Sequence, residues 1–147
     1  VAFEGRARQG DSPVWTFGDR WTPLAGRHGF EFSFLHRYWL VRDGADGDGW
    51  VARTAGYAYQ FRERNGDEVV RFEWHPLPGL VPFPHLHVHG HDGRGRLTGR
   101  MHIPTGVVTL GAVVRFAIEE LGVRPSRSDW AEVLGDSDES HRPPSAT

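Results

Sequence analysis

The sequence predicts an α+β domain: an antiparallel β-sheet of four to six strands with one main C-terminal α-helix packed on one face. Three observations carry this. Apolar and polar residues alternate from Phe30 onward and again across residues 57–74, which is the period of a strand with one buried face. Asn65-Gly66 sits midway through the second stretch and suits a hairpin turn, because both residues tolerate positive φ. A single helical stripe follows the strands, and strands followed by helix favour α+β over a wound parallel sheet.

Taken in order, residues 1–13 are polar and glycine-rich and read as a flexible arm. The folded domain is expected over residues 14–134, and the polar, proline-containing residues 135–147 as a disordered tail. Trp15, Phe17 and Trp21 lie among turn residues, in an irregular or short-strand segment. Phe30, Phe32 and Phe34 alternate with Glu31 and Ser33, giving a strand that runs on through Tyr38 to Val41. Residues 43–49 form an aspartate- and glycine-rich turn. Its spacing resembles a calcium loop, but the downstream bidentate glutamate is missing.

The hairpin of a two-residue loop sets Phe61 opposite Val70, Tyr59 opposite Phe72 and Tyr57 opposite Trp74. All six fall on one face, while Gln60, Arg62, Arg71, Glu73 and His75 fall on the other. A proline-broken link leads to a histidine-rich strand from His85 to His91, a glycine turn at 93–95 and a short strand over 97–103. Thr109 is placed as an N-cap. Leu110, Val113, Val114, Ala117, Ile118 and Leu121 make one apolar helical stripe, stopped by Gly122. A short helix is expected over 128–134.

At 147 residues, one domain is the natural count. The chain has no cysteine, so disulfides and thiolate metal sites are excluded, and any metal must use His, Asp or Glu. All 17 basic residues are arginine and the net charge is −2, so no overall basic field draws in nucleic acid. No apolar run approaches the roughly 18 residues that span a bilayer, and no signal peptide opens the sequence. The expected setting is cytoplasmic, with no membrane partner.

His85, His87, His89 and His91 occupy alternate positions, so on a strand they share one face while Leu86 and Val88 point to the other. With the helix on the apolar face, the histidines line the open one. Four imidazoles on neighbouring positions are a poor choice for stability, because protonating several costs repulsion. Three chemistries suit them. They can act as general acid and base on phosphate esters, hold zinc or another divalent transition metal through His85, His87 and His89, or attack phosphorus as a nucleophile. His75 and His102 are candidate partners from neighbouring segments. Arg94, Arg96 and Arg100 follow the histidine strand and are candidate phosphate-binding residues, the alternative being a solvated loop. Tyr57 and Tyr59 read as core.

Two families share parts of this pattern. His85-Leu86-His87-Val88-His89 resembles the first five positions of the histidine-triad nucleotide hydrolases, from which Gly90 and His91 depart. A longer stretch, from about Phe30 to Leu134, resembles the TumE-like toxins of bacterial toxin–antitoxin systems. Its counterparts are Tyr57-Ala58-Tyr59, Arg71-Phe72-Glu73-Trp74-His75, Phe83-Pro84-His85-Leu86-His87 and the helix after Thr109. Leu86 stands where that family has a second adjacent histidine. The resemblance implies a ribonuclease-type toxin acting on RNA and neutralised by a cognate antitoxin. In that reading His85 and His87 do acid–base work, helped by His75 or His89, and Arg71 stabilises phosphate charge. The alternatives are a metal-dependent or histidine-triad-like nucleotide phosphohydrolase and a non-enzymatic binding module.

Overall fold

The computed structural model describes residues 14–16, 20–42, 50–76, 81–89 and 99–140. The predicted N-terminal arm, the aspartate-rich turn and residues 141–147 lie outside the described residues.

The architecture is α+β, as expected. Among the described residues, seven strands form one antiparallel sheet: β1 (Val14–Thr16), β2 (Thr22–Pro23), β3 (Glu31–Arg42), β4 (Trp50–Arg62), β5 (Glu68–Trp74), β6 (His85–Val88) and β7 (Ile103–Pro104). The order across the sheet is β1-β3-β4-β5-β6-β7, with β2 also paired to β3. From β3 onward each strand lies beside its successor. The strands are followed by α1 (Leu110–Glu119) and α2 (Trp130–Ser140). The second continues six residues past the predicted end at Leu134, into the segment expected to be loose.

The hairpin register is as read from the sequence: Tyr57 pairs with Trp74, Tyr59 with Phe72 and Phe61 with Val70. The turn differs from the expected two-residue type I′. No non-glycine residue has positive φ among the described residues, so Asn65 does not adopt it, while Gly66 does at φ 99°. The Gly66 N–H donates to the Glu63 carbonyl and the Glu63 N–H to the Asp67 carbonyl, both at 2.9 Å. Arg64 and Asn65 thus form the turn centre, and Gly66 takes the left-handed position after it. A register shift between Phe61 and Arg62 absorbs the extra loop residue. The Asn65 side chain adds a bond of its own, accepting from the Asp67 N–H at 3.0 Å.

The core lies between the aromatic face of the sheet and α1. Tyr57, Tyr59 and Val113 are fully buried, joined by Phe32, Phe34, Phe61, Val70 and Ala117. Phe32 stacks on Phe61 at 4.6 Å, and the edge of Phe116 meets Phe72 at 5.5 Å. Each such aromatic pair contributes about 0.5–1.5 kcal/mol beyond its buried area. Thr109 caps α1, its hydroxyl accepting from the Ala112 N–H at 3.0 Å. Gly122, at φ 65°, ends the helix turn where the sequence places the stop.

The two buried tyrosines are held by polar partners, as buried hydroxyls require. The Tyr57 hydroxyl accepts from the Val108 N–H at 3.0 Å, which ties the segment before α1 to the sheet. The Tyr59 hydroxyl lies 2.7 Å from His36 Nδ1. Burial pushes both phenols above their usual pKa, so they stay protonated. Gly56 sits where β4 shifts register against β3. A Cβ there would fall 2.8 Å from the Trp74 carbonyl oxygen, so a side chain is excluded.

Candidate metal centre

The face of the sheet away from α1 carries the histidines. Arg71 pairs with His87 and Glu73 with His85, so these four side chains share one face. Leu86 pairs with Ile103 on the core side. The pleat therefore returns His102, one residue earlier, to the histidine face.

His85, His87 and His102 converge. Their ring centroids lie 4.9, 4.8 and 4.7 Å apart in pairs, all edge to face. One nitrogen from each ring lies within 4.8 Å of the other two. Zinc–nitrogen bonds of 2.0–2.1 Å in a tetrahedral site set ligand nitrogens roughly 3.3–3.5 Å apart. The group can hold a metal ion after a contraction of at most about 1.5 Å by that geometry.

Backbone acceptors fix the tautomers. His85 Nδ1 lies 2.9 Å from the Phe83 carbonyl and His87 Nδ1 lies 2.7 Å from the Gly99 carbonyl. A carbonyl only accepts, so each Nδ1 carries the proton and each Nε2 presents a lone pair. Metal-ligating histidines are oriented in this way. His87 Nε2 is buried without a hydrogen-bond partner, which is costly unless something else occupies its lone pair. Burial also holds the His87 pKa below its usual value. The Gly99 carbonyl opposes this, and the charges of Arg71, His85 and His102 add to it. Neutral imidazole is the form that binds metal.

One expectation needs correction. The histidine face is not open over its length: His85 and His87 are each only 3% exposed. Gly99 and His102 lie over them, Gly99 through its carbonyl on His87 and His102 through its ring against both. His102 itself is exposed and forms the solvent side of the cluster.

Charged groups ring the cluster. Glu73 Oε2 lies 3.5 Å from His87 Nε2 and 3.9 Å from His85 Nε2. Its Oε1 lies 2.9 Å from His75 Nε2. Arg71 Nε lies 3.0 Å from Glu73 Oε2 and 3.6 Å from Glu68 Oε1, without the alignment of a hydrogen bond to either. His89, expected as the third ligand, is not in the cluster. Its Nε2 lies 3.0 Å from Glu68 Oε1 and its ring rests against Gly99. Arg100 is exposed in a turn beside Gly99, whereas Arg94, Arg96 and His91 lie outside the described residues.

Of the residues singled out from the sequence, the fold brings together His85, His87, Arg71, His75 and His102, and makes His102 rather than His89 the third imidazole. Glu73 escaped notice as a site residue, although its place between Arg71 and His75 on the alternating pattern was visible. An apolar cavity of about 240 Å³ lies on the other side of the sheet, bordered by Phe32, Phe61, Ile118 and Trp130, away from this chemistry. Among the described residues, no helix is long and apolar enough to cross a membrane.

Fold and site together define an antiparallel α+β domain with a three-histidine group able to hold a metal ion. Compared with protein-family models, with curated proteins and with solved structures, the chain matches none.

Proposed function

We propose that this protein is a metal-dependent hydrolase of phosphate esters, with His85, His87 and His102 holding a first-row divalent ion such as zinc. The observation that carries the reading is the convergence of three imidazoles, two of them with Nδ1 committed to a backbone carbonyl. A bound ion supplies Lewis acidity and a water of lowered pKa. The buried His85 and His87 hold their lone pairs in place, and the exposed His102 sits where an ion and a substrate arrive. Arg71, paired with His87 on the same face, offers a cation for a phosphate oxygen.

Metal-free acid–base catalysis by His85 and His87 is less well supported. An acid and a base acting on one phosphate serve opposite ends of an in-line displacement. These two rings lie 4.9 Å apart and face the same small space. RNA is the first substrate to test, because the TumE-like resemblance implies it. Free nucleotides are the second. The same resemblance supplies a cognate antitoxin, and the cytoplasmic setting is carried over from the reading of the sequence.

The test is hydrolysis of RNA, of nucleotides and of a generic phosphodiester by untagged protein, stripped of metal and then reloaded with zinc or manganese. Turnover that needs the ion and disappears in both His87→Ala and His102→Ala is the expected result. Turnover that survives chelation, or none on any of these substrates, overturns the reading.

A further inference from the structure

We infer that Glu73 is a fourth protein ligand, giving a site of three imidazoles and one carboxylate. This deepens the metal reading above and rests on it. In a site with bonds near 2.0–2.1 Å, neighbouring ligand atoms lie roughly 3.3–3.5 Å apart. A carboxylate that only accepts from a water on the ion sits a further hydrogen bond away, no nearer than about 4 Å to the ligand nitrogens. Glu73 Oε2 is 3.5 Å from His87 Nε2, which is the spacing of a co-ligand, and 3.9 Å from His85 Nε2.

Two further observations agree. His87 Nε2 is buried and unpartnered on the side facing Glu73, so the carboxylate leaves its lone pair available. The other oxygen of Glu73 is already held, 2.9 Å from His75 Nε2. Ligating carboxylates are steadied in this way by outer partners. His102, exposed and outside the regular strands, is the ligand free to adjust as the site closes. The sequence route is short: Glu73 pairs directly with His85 across β5 and β6, so a glutamate opposite the first histidine of a His-x-His strand delivers an oxygen to the same ion. With four protein ligands, an ion that accepts five or six keeps positions for water and substrate.

Cobalt(II) titration of the untagged full chain, read by visible absorption and by calorimetry, tests this in Glu73→Ala, Glu73→Gln and Glu68→Gln. Circular dichroism of each metal-free variant checks the fold. Glu68 is the control, a carboxylate beside Arg71 that reaches His89 rather than the cluster. Loss of an outer partner costs about 10–100-fold in metal affinity, so loss of a ligand is expected to exceed about 100-fold in Glu73→Ala. The cobalt spectrum should change in both Glu73 variants, and Glu68→Gln should keep the wild-type spectrum. An unchanged spectrum in Glu73→Ala, at any affinity, overturns the ligand role and leaves the three-histidine site standing. Failure of the wild-type chain to bind cobalt or zinc overturns both.

Discussion

His87 Nδ1 lies 2.7 Å from the Gly99 carbonyl oxygen, and this one bond connects backbone geometry to site chemistry. It fixes the tautomer of a buried imidazole and brings down the segment that carries His102. The ring of His89 then rests on the Gly99 Cα, where any side chain would overlap it.

Gly99→Ala should therefore be destabilising. The added methyl group displaces the His89 ring and strains the carbonyl that holds His87, at about 1–3 kcal/mol for an overpacked position. Removing the obstruction should reverse most of that loss. Thermal melts of Gly99→Ala, His89→Ala and the double variant form a cycle. Additive losses in the double variant would show that the contact is not the cause.

The polar ties around α1 predict two losses of similar size. Tyr57→Phe leaves the Val108 N–H without its acceptor, at about 1–3 kcal/mol for a buried donor. Thr109→Ala removes the cap on Ala112, at about 0.5–2 kcal/mol. Chemical denaturation should show both as lower midpoints with unchanged slope. No change in either midpoint contradicts the assigned bonds.

Gly66→Ala tests the turn. A methyl group there meets nothing within 4 Å, so the penalty is conformational alone. A left-handed position costs an alanine about 1–2 kcal/mol. Denaturation of this variant beside Asn65→Ala separates the positions, since Asn65 is not at positive φ. Equal effects at both would argue for the expected type I′ turn after all.

Acid should weaken the metal-free fold through His87. Burial lowers its folded pKa, whereas the unfolded chain takes up the proton near pH 6.5. Between the folded and unfolded values the unfolded state binds more protons, so stability falls as pH drops through that window and is fully present above it. Melting temperatures should decline from about pH 7 downward, and more steeply in wild type than in His87→Gln. Parallel curves would remove His87 as the cause.

Much of this was legible in the sequence, for reasons that can be named. Tyr57, Tyr59 and Phe61 alternate because one face of β4 is buried, and that period fixed both the face and the partner register. The register survived a wrong turn type because a bulge beside Phe61 compensated for the longer loop. The first half of β4 carried no such signal: Val51, Ala52 and Arg53 are all exposed, so no buried face imposed a period. His85 and His87 followed from alternation alone. His102 was named beside His75 as a candidate partner, but alternation gave it no place among the ligands, because the strand that carries it across is only two residues long. His89 obeyed the alternation but lies past the end of β6, where Glu68 rather than the cluster receives it.

Zinc titration of the untagged, metal-free chain by calorimetry, with bound metal counted by elemental analysis, tests the central claim most directly. The account predicts one ion per chain, with affinity reduced at least about 100-fold in His85→Ala, His87→Ala and His102→Ala and within about threefold of wild type in His89→Ala, given that outer partners alone are worth 10–100-fold. Sub-stoichiometric binding, or binding that tolerates His102→Ala and fails in His89→Ala, would contradict it.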